Sequence, residues 1–74
     1  MAAGYSIALL RKVKAADSKL LGVQLGRYCI DNDIPVATVA DKFSVSRAAV
    51  YCWFVGAYAP NKTLHDRITK FISR

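Results

Sequence analysis

The sequence predicts an all-α protein, a compact bundle of four or five short helices that contains a helix-turn-helix. Apolar residues recur at the three- and four-residue spacing of helices along most of the chain, and no stretch reads convincingly as a strand. Between Val36 and Val55, two such apolar stripes are separated by only a few residues. Helices joined so closely cannot pack antiparallel and must cross steeply. A chain of 74 residues has room for one hydrophobic core.

Residues 1–17 are predicted to form a loose terminus, over residues 1–5, and then a short helix from Ser6 to about Ala16. One face of this helix is apolar, while its basic residues point elsewhere. The segment is interpreted as a basic N-terminal arm or a short amphipathic helix. It can reach out to a partner, cover the core or form a dimer contact. The apolar face of this N-terminal helix carries Ile7, Leu10 and Val13. Residues 18–74 are predicted to form the helix-turn-helix domain.

The second helix is predicted to start after Ser18, whose hydroxyl can cap it, and to run to about Asp31 or Asn32. Gly22 and Gly26 lie within it, although a glycine costs a helix about 1 kcal/mol relative to alanine. Two glycines at this spacing therefore predict that another backbone comes close on that face. The residues spaced for burial are Leu21, Leu25 and Tyr28.

The next two helices form the predicted helix-turn-helix. Pro35 stands where the first of them is about to begin, and Ser44 breaks the apolar pattern of Val39, Ala40 and Phe43. The hydroxyl of Ser46 can then accept a hydrogen bond from a free N–H group at the start of the second. In that second helix, one stripe faces inward and the other residues face outward. The inward residues are Ala49, Val50 and Trp53, and the outward residues are Arg47, Ala48, Tyr51 and Cys52.

The segment from Gly56 to Pro60 is predicted to be a loop, because glycine suits a helix C-terminus and proline blocks continuation of a helix. Asn61 then caps a last helix that has an apolar and a basic face. The apolar residues are Leu64, Ile68 and Phe71 or Ile72, and the basic residues are Lys62, Arg67, Lys70 and Arg74.

The net charge of +6 is large for so small a domain, and it favours binding to polyanions, with nucleic acid as the first candidate. The alternative is that the excess charge only keeps the protein soluble. The charge lies mainly at the two ends. Residues 1–17 hold three basic side chains and one acidic one, and residues 56–74 hold four basic side chains and one acidic one.

Several other classes of function find little support. No apolar stretch is long enough to cross a bilayer, and two cysteines fit a reducing compartment, so a cytoplasmic location is expected. His65 has no nucleophile in register and is expected to be solvated, which leaves catalysis without a basis. Cys29, Cys52 and His65 are too few and too scattered for a zinc site. We therefore expect neither an enzyme nor a cofactor, and neither a membrane partner nor a small-molecule substrate.

The central stretch and its flanks together form a pattern with several fixed offsets. From about Leu21 to Ile72 the sequence resembles the phage-repressor and Cro-like helix-turn-helix family, the lambda-repressor-like DNA-binding domains. The residues that carry the resemblance are Val39, Ala40, Phe43, Ser44, Val45, Ser46, Val50, Trp53, Phe54, Gly56 and Pro60.

The resemblance implies a transcriptional regulator that binds duplex DNA, often as a homodimer, with the second motif helix in the major groove. The recognition helix is then Ser46 to about Phe54, and its exposed first turn meets the base edges. The implied base contacts are Arg47, Ala48, Tyr51 and Cys52. The implied contacts to the DNA backbone are Val36, Ala37, Lys42, Ser46, Tyr58, Lys62 and Arg67.

The sequence departs from the family pattern at three places. Val36 replaces a frequent glutamine and cannot donate a hydrogen bond through its side chain. Ser44 replaces the usual turn glycine and must take a positive φ, at a cost of ~1–2 kcal/mol, or shift the turn. Cys29 and Phe54 occupy the positions of an arginine–glutamate pair, and replacing a buried ion pair by apolar groups is often neutral or stabilising. We therefore expect Cys29 and Phe54 to touch in a dry patch.

A second function belongs to a different class: a protein-interaction module that keeps the helix-turn-helix scaffold and binds another protein. The outward side of the second motif helix is poor in charge, since Ala48, Tyr51 and Cys52 accompany a single arginine. Val55 and Tyr58 add apolar surface nearby. DNA binding instead requires that the basic residues lie on one face.

Overall fold

The computed structural model describes residues 5–73, which form five helices and no strand. The predicted all-α bundle is therefore confirmed, with five helices. The second helix is central, because it packs against the first, fourth and fifth helices, while the third packs against the fourth. No helix in this range is long and apolar enough to span a membrane. The helices are α1 (Ile7–Ala15), α2 (Leu21–Asp31), α3 (Val36–Phe43), α4 (Arg47–Phe54) and α5 (Lys62–Ile72).

The core takes side chains from all five helices, with α2 and α4 contributing several of the largest. Aromatic rings tie α3, α4 and α5 together, since Phe43 contacts both Trp53 and Phe71 edge to face. Such contacts add to the stabilisation that burial alone provides. The largest fully buried side chains are Phe54, Leu25, Ile68, Val13, Val23, Val39, Val50 and Cys29.

The two glycines of α2 lie against α4, as their spacing predicted. A Cβ atom on Gly22 would lie 2.6 Å from the carbonyl oxygen of Trp53, and one on Gly26 would lie 2.8 Å from Cγ of Phe54. Both distances are shorter than van der Waals contact. The absence of side chains at these positions thus allows α2 and α4 to pack more closely than alanine would permit.

Residues 44–46 connect α3 to α4 with the local chemistry expected of them. Ser44 has φ 55° and ψ 45°, so of the two alternatives expected for it the chain adopts the left-handed conformation. The hydroxyl of Ser46 accepts a hydrogen bond from the Ala49 N–H at 3.1 Å and caps α4. Asp33, between α2 and α3, is a second non-glycine residue with positive φ, and its sequence context did not predict this.

The start of the chain differs from the prediction. Residues 1–4 lie outside the described part of the chain, but Tyr5 is buried instead of loose. Its hydroxyl donates a hydrogen bond to the Ile34 carbonyl at 2.5 Å. Ile7, which was assigned to the inward face of α1, is 66% exposed, while Val13 is buried as expected. The anchored Tyr5 and the Ser6 cap fix the rotation of α1, and Ile7 then points to solvent.

The predicted cap of α2 is also wrong. The helix begins at Leu21, and its first flanking residue, Leu20, offers no side-chain cap. Ser18 takes part through its backbone instead, because its carbonyl accepts a hydrogen bond from the Gln24 side chain. A turn closed by the Leu20 N–H and the Asp17 carbonyl precedes the helix, so the chain enters α2 later than a serine cap would require.

The C-terminal part follows the prediction with one exception. Gly56 has φ 79° just after α4, and the Asn61 side chain caps α5 by accepting a hydrogen bond from the Thr63 N–H. His65 was expected to be solvated, but it is half-buried and its Nε2 lies 3.1 Å from the Pro60 carbonyl oxygen. The loop folds back onto the first turn of α5, which accounts for this contact. Arg74, assigned to the basic face, lies outside the described residues.

Cys29 and Phe54 are both fully buried members of the same core cluster. Burial raises the pKa of the Cys29 thiol to about 12, so the group stays protonated and behaves as a small apolar side chain. The dry environment predicted for the two residues is confirmed. Their direct contact stays a prediction.

Candidate nucleic-acid interface

The outward face of α4 is the surface that the sequence predicted to meet DNA. Arg47 and Ala48 are exposed in its first turn, and Tyr51 is 42% exposed in the next. On the opposite face Val50 and Trp53 are buried in the core and fix the rotation of the helix. Three of the four proposed base contacts therefore share one accessible face, and the Ser46 cap holds the start of that face in place.

Cys52 differs from the other three residues, because it is half-buried. It lies in a cleft of about 440 Å³ between α1 and α4. The α1 side of this cleft brings Lys12 beside the outward face of α4. The cleft is lined by Ser6, Ala8, Leu9, Lys12, Tyr51, Cys52 and Val55.

Lys12 was not among the predicted contacts, although it lines the same cleft as Tyr51 and Cys52 of the proposed reading face. The sequence did carry a signal for it. The hydroxyl of Ser6 accepts a hydrogen bond from the Leu9 N–H and so starts α1, and Leu9 and Lys12 then project on one face three residues apart. What the sequence could not show was that this face of α1 would be placed next to α4.

Tyr5 fixes the beginning of α1 against the core. Its ring lies 6.2 Å from the ring of Phe54, and its hydroxyl bonds to the Ile34 carbonyl just before α3. Burial raises the pKa of the Tyr5 phenol well above its usual range, and electrostatic interactions with Cys29 and Tyr51 raise it further. A neutral phenol is thus held between the start of α1, the start of α3 and the end of α4.

The first turn of α3 provides a second predicted contact through its backbone. The Val36 side chain is buried in the core, and Ala37 is half-buried, so neither side chain is positioned to bond a phosphate. Pro35 precedes them without a side-chain cap, and the first N–H groups of a helix have no partner within the helix. Any contact between this turn and a DNA phosphate is therefore made by backbone N–H groups. The helix dipole favours binding of an anion at these groups.

The flanking cations fall into separate places. Lys42 and Arg67 lie together, since the Arg67 Nη2 donates a hydrogen bond to the Lys42 carbonyl at 2.7 Å. Lys62 is exposed at the start of α5. Tyr58 is 70% exposed in the loop after α4, beside a depression that includes Leu20 and His65. These four of the seven predicted backbone contacts therefore do not form one cluster.

Within residues 5–73, no group of three or more His, Cys, Asp or Glu side chains is arranged to hold a metal ion. Cys29 and Cys52 are both free thiols. Comparisons with protein-family models, with curated proteins and with solved structures found no match to this chain.

Proposed function

We propose that this protein binds duplex DNA as a small, cytoplasmic, Cro- or repressor-like transcriptional regulator, with α4 in the major groove. The observation that best supports this proposal is that α4 exposes one face to solvent while its opposite face is buried in the core. Its first turn is capped by Ser46 and exposes Arg47 and Ala48, while Trp53 holds the opposite face in the core. A rigid helix with an exposed, positively charged start has the shape and charge that entry into a groove requires.

Arg47 is the principal candidate for reading a base. Its guanidinium can bond both acceptors of a guanine, a contact that discriminates against other bases by ~1–3 kcal/mol. Ala48 is suited to contact a thymine methyl group, and Tyr51 to reach a base edge or a phosphate. Cys52 is half-buried in the cleft beside α1, so its contact is confined to the edge of the reading face.

Affinity on this proposal comes mainly from the positive field and from phosphate contacts that lie on α1, α3, α4 and α5. The net charge of +6 supplies the field. The backbone N–H groups at Val36 and Ala37, together with Lys42, Lys62 and Arg67, supply contacts, with Ser46 and Tyr58 as uncharged contributors. Lys12 joins this set because α1 places it beside α4.

We further propose that the protein acts as a homodimer on two-fold-related sites. The last helix is a poor dimer surface, since Phe71 is buried and Ile72 is half-buried. The N-terminal helix is better suited, because Ile7 is exposed and Leu9 is only partly covered. Light scattering after size-exclusion chromatography tests this: Ile7→Asp should convert a dimer to a monomer.

Nuclear magnetic resonance of the 15N-labelled protein with a random duplex at low salt tests the DNA-binding proposal. Signals of residues 46–51 and of the first turn of α3 should shift in fast exchange. Uniform small shifts over the whole surface, or none on α4, would contradict it.

One observation favours a protein-interaction module as the second candidate. The cleft between α1 and α4 is lined mainly by apolar groups, including Leu9, Tyr51 and Val55. Apolar clefts of this kind suit a partner side chain or helix. This function predicts that duplex DNA leaves α4 unaffected even at low salt.

A further inference from the structure

Three cationic side chains meet in one groove between the end of α3 and the second half of α5. This groove is lined by Lys42, Arg67, Lys70 and Phe71 and has a volume of about 270 Å³. Lys42 comes from the last turn of α3, and Lys70 from the last turn of α5. The fold therefore gathers charges that are far apart in the sequence.

Two of the three cations are held in place by aromatic rings. The Lys42 Nζ lies 5.4 Å from the centre of the Phe71 ring, and the Arg67 guanidinium carbon lies 5.4 Å from the centre of the Phe43 ring. Both distances are within the range of cation–π attraction. A cation held in this way loses less freedom when it binds an anion than a freely moving surface lysine does.

Arg67 is oriented further by its hydrogen bond to the Lys42 carbonyl. The last carbonyls of a helix lack partners within the helix, so this bond caps α3. It uses one of the five N–H donors of the guanidinium, and the remaining donors can bond an oxyanion. Arg67 thus has a structural role and retains capacity for a ligand.

A purely structural explanation accounts for part of this arrangement. Cations near helix C-termini are stabilised by the helix dipole, and Lys42 and Lys70 both occupy such positions. That explanation does not account for the convergence of three cations on one concave surface, where they repel one another. The acidic residues next in sequence, Asp41 and Asp66, do not line the groove. A bound anion would relieve the repulsion.

We propose that the groove of Lys42, Arg67 and Lys70 is a phosphate-binding site that functions independently of base reading by α4. Its ligand is a phosphate group, supplied either by a nucleic-acid backbone or by a free phosphorylated molecule. Lys70 is the new member, since the DNA-binding proposal includes only Lys42 and Arg67 of these three residues. The site does not require the proposed function, because it needs only an anion with several oxygens.

The test compares Lys42→Gln/Lys70→Gln with Lys14→Gln/Lys19→Gln, a control that removes the same charge from exposed lysines elsewhere. Arg67 is kept because it caps α3. Inorganic tripolyphosphate is titrated into each protein at low salt by calorimetry, and urea unfolding checks that each variant is folded. The first variant should lose about fivefold or more in affinity and the control less than about twofold.

Equal losses in both variants, or no tripolyphosphate binding to the unchanged protein, would overturn the proposal. Random duplex DNA in a second titration identifies the source of the phosphate. If the groove binds the DNA backbone, the salt slope of Lys42→Gln/Lys70→Gln should fall by about two, since each phosphate contact contributes roughly one. If DNA binding is unchanged while tripolyphosphate binding is lost, the ligand is a free phosphorylated molecule.

These outcomes are separable from failure of the proposed function. Loss of base reading is tested at Arg47, which lies on α4 and does not line the groove. If the protein binds tripolyphosphate in the groove but duplex DNA does not shift the resonance signals of α4, the phosphate site is supported and major-groove binding by α4 is refuted.

Discussion

Ser44 is one of two non-glycine residues with a positive φ in the described part of the chain. It holds the left-handed conformation that links α3 to α4, and its side chain is exposed. For a residue with a Cβ atom this conformation costs roughly 1–2 kcal/mol. Ser44→Gly should therefore raise the free energy of unfolding by up to about 1 kcal/mol, after the entropy that glycine adds to the unfolded chain is subtracted.

Urea unfolding measures this change, and Ser44→Val provides the opposite case. A β-branched side chain tolerates the left-handed region poorly, so the valine variant should be less stable than the unchanged protein. If glycine and valine had the same effect, the strain at this position would be refuted.

Tyr5 and Cys29 together predict a loss of stability at alkaline pH. Both groups are neutral when protonated, and the folded protein raises the pKa of each, mainly through burial. Folding therefore holds these protons more tightly than the unfolded chain does. Their contribution to stability is fully present below about pH 9, the ordinary thiol value, and is lost as the pH rises toward 12.

Unfolding by urea between pH 7 and pH 11 measures this dependence. Tyr5→Phe should remove the part of the alkaline loss of stability that comes from the tyrosine. Because the variant also lacks the hydrogen bond to Ile34, its free energy of unfolding at pH 7 should be lower by about 1 kcal/mol. Tyr58→Phe is the matched control, because Tyr58 is exposed and should change neither quantity. An unaltered pH profile in Tyr5→Phe would show that the buried phenol does not contribute.

At the scale of elements, the closest packing lies between α2 and α4. Gly26→Ala would place a Cβ 2.8 Å from Cγ of Phe54, whose ring is fully buried and cannot move freely. Overpacking of this kind costs about 1–3 kcal/mol, which exceeds the gain of about 1 kcal/mol in helix propensity. Gly26→Ala should thus lower the free energy of unfolding, while Arg11→Ala, at an exposed position of α1, should change it by less than about 0.5 kcal/mol.

The elements that the sequence predicted well are those governed by local chemistry. Ser46 caps α4 and Asn61 caps α5 through hydrogen bonds to residues two or three positions away, so the local sequence contains both partners. The same holds for Gly56 at the end of α4. Such features depend on few residues and can be identified without knowledge of the fold.

The N-terminal helix could not be predicted to the same depth, because its placement depends on contacts far along the chain. Tyr5 bonds to Ile34, 29 residues away, and this contact sets the rotation that exposes Ile7. Periodicity alone grouped Ile7 with Leu10 and Val13, since it carries no information on which face meets the core. The position of Lys12 beside α4 was hidden for the same reason.

At the scale of the whole molecule, composition indicated a positive charge of +6 but not its distribution. Folding places Lys12 of α1 in one cleft with Tyr51 and Cys52 of α4, and it gathers Lys42 and Arg67, 25 residues apart, into a separate groove. The sequence of the two motif helices therefore predicts only some of the residues of the candidate DNA-binding site. Arg47 and Ala48 follow from the motif helix itself, whereas the flanking cations depend on how the helices pack.

Proposed binding of duplex DNA by α4 through Arg47 can be measured by titrating random duplex DNA at two salt concentrations. The unchanged protein, Arg47→Ala and the control Lys19→Ala are compared by fluorescence anisotropy. Four charged phosphate contacts give a salt slope of roughly −3.6, so affinity should fall by about 150-fold between 50 and 200 mM salt.

Arg47→Ala should weaken binding at both salt concentrations by more than Lys19→Ala, because Arg47 stands at the exposed start of α4. Binding in all three proteins should be strongest at low salt. The absence of binding by the unchanged protein at low salt would refute the proposed DNA binding. Equal affinities of the Arg47→Ala and Lys19→Ala variants would refute the role of Arg47 in it.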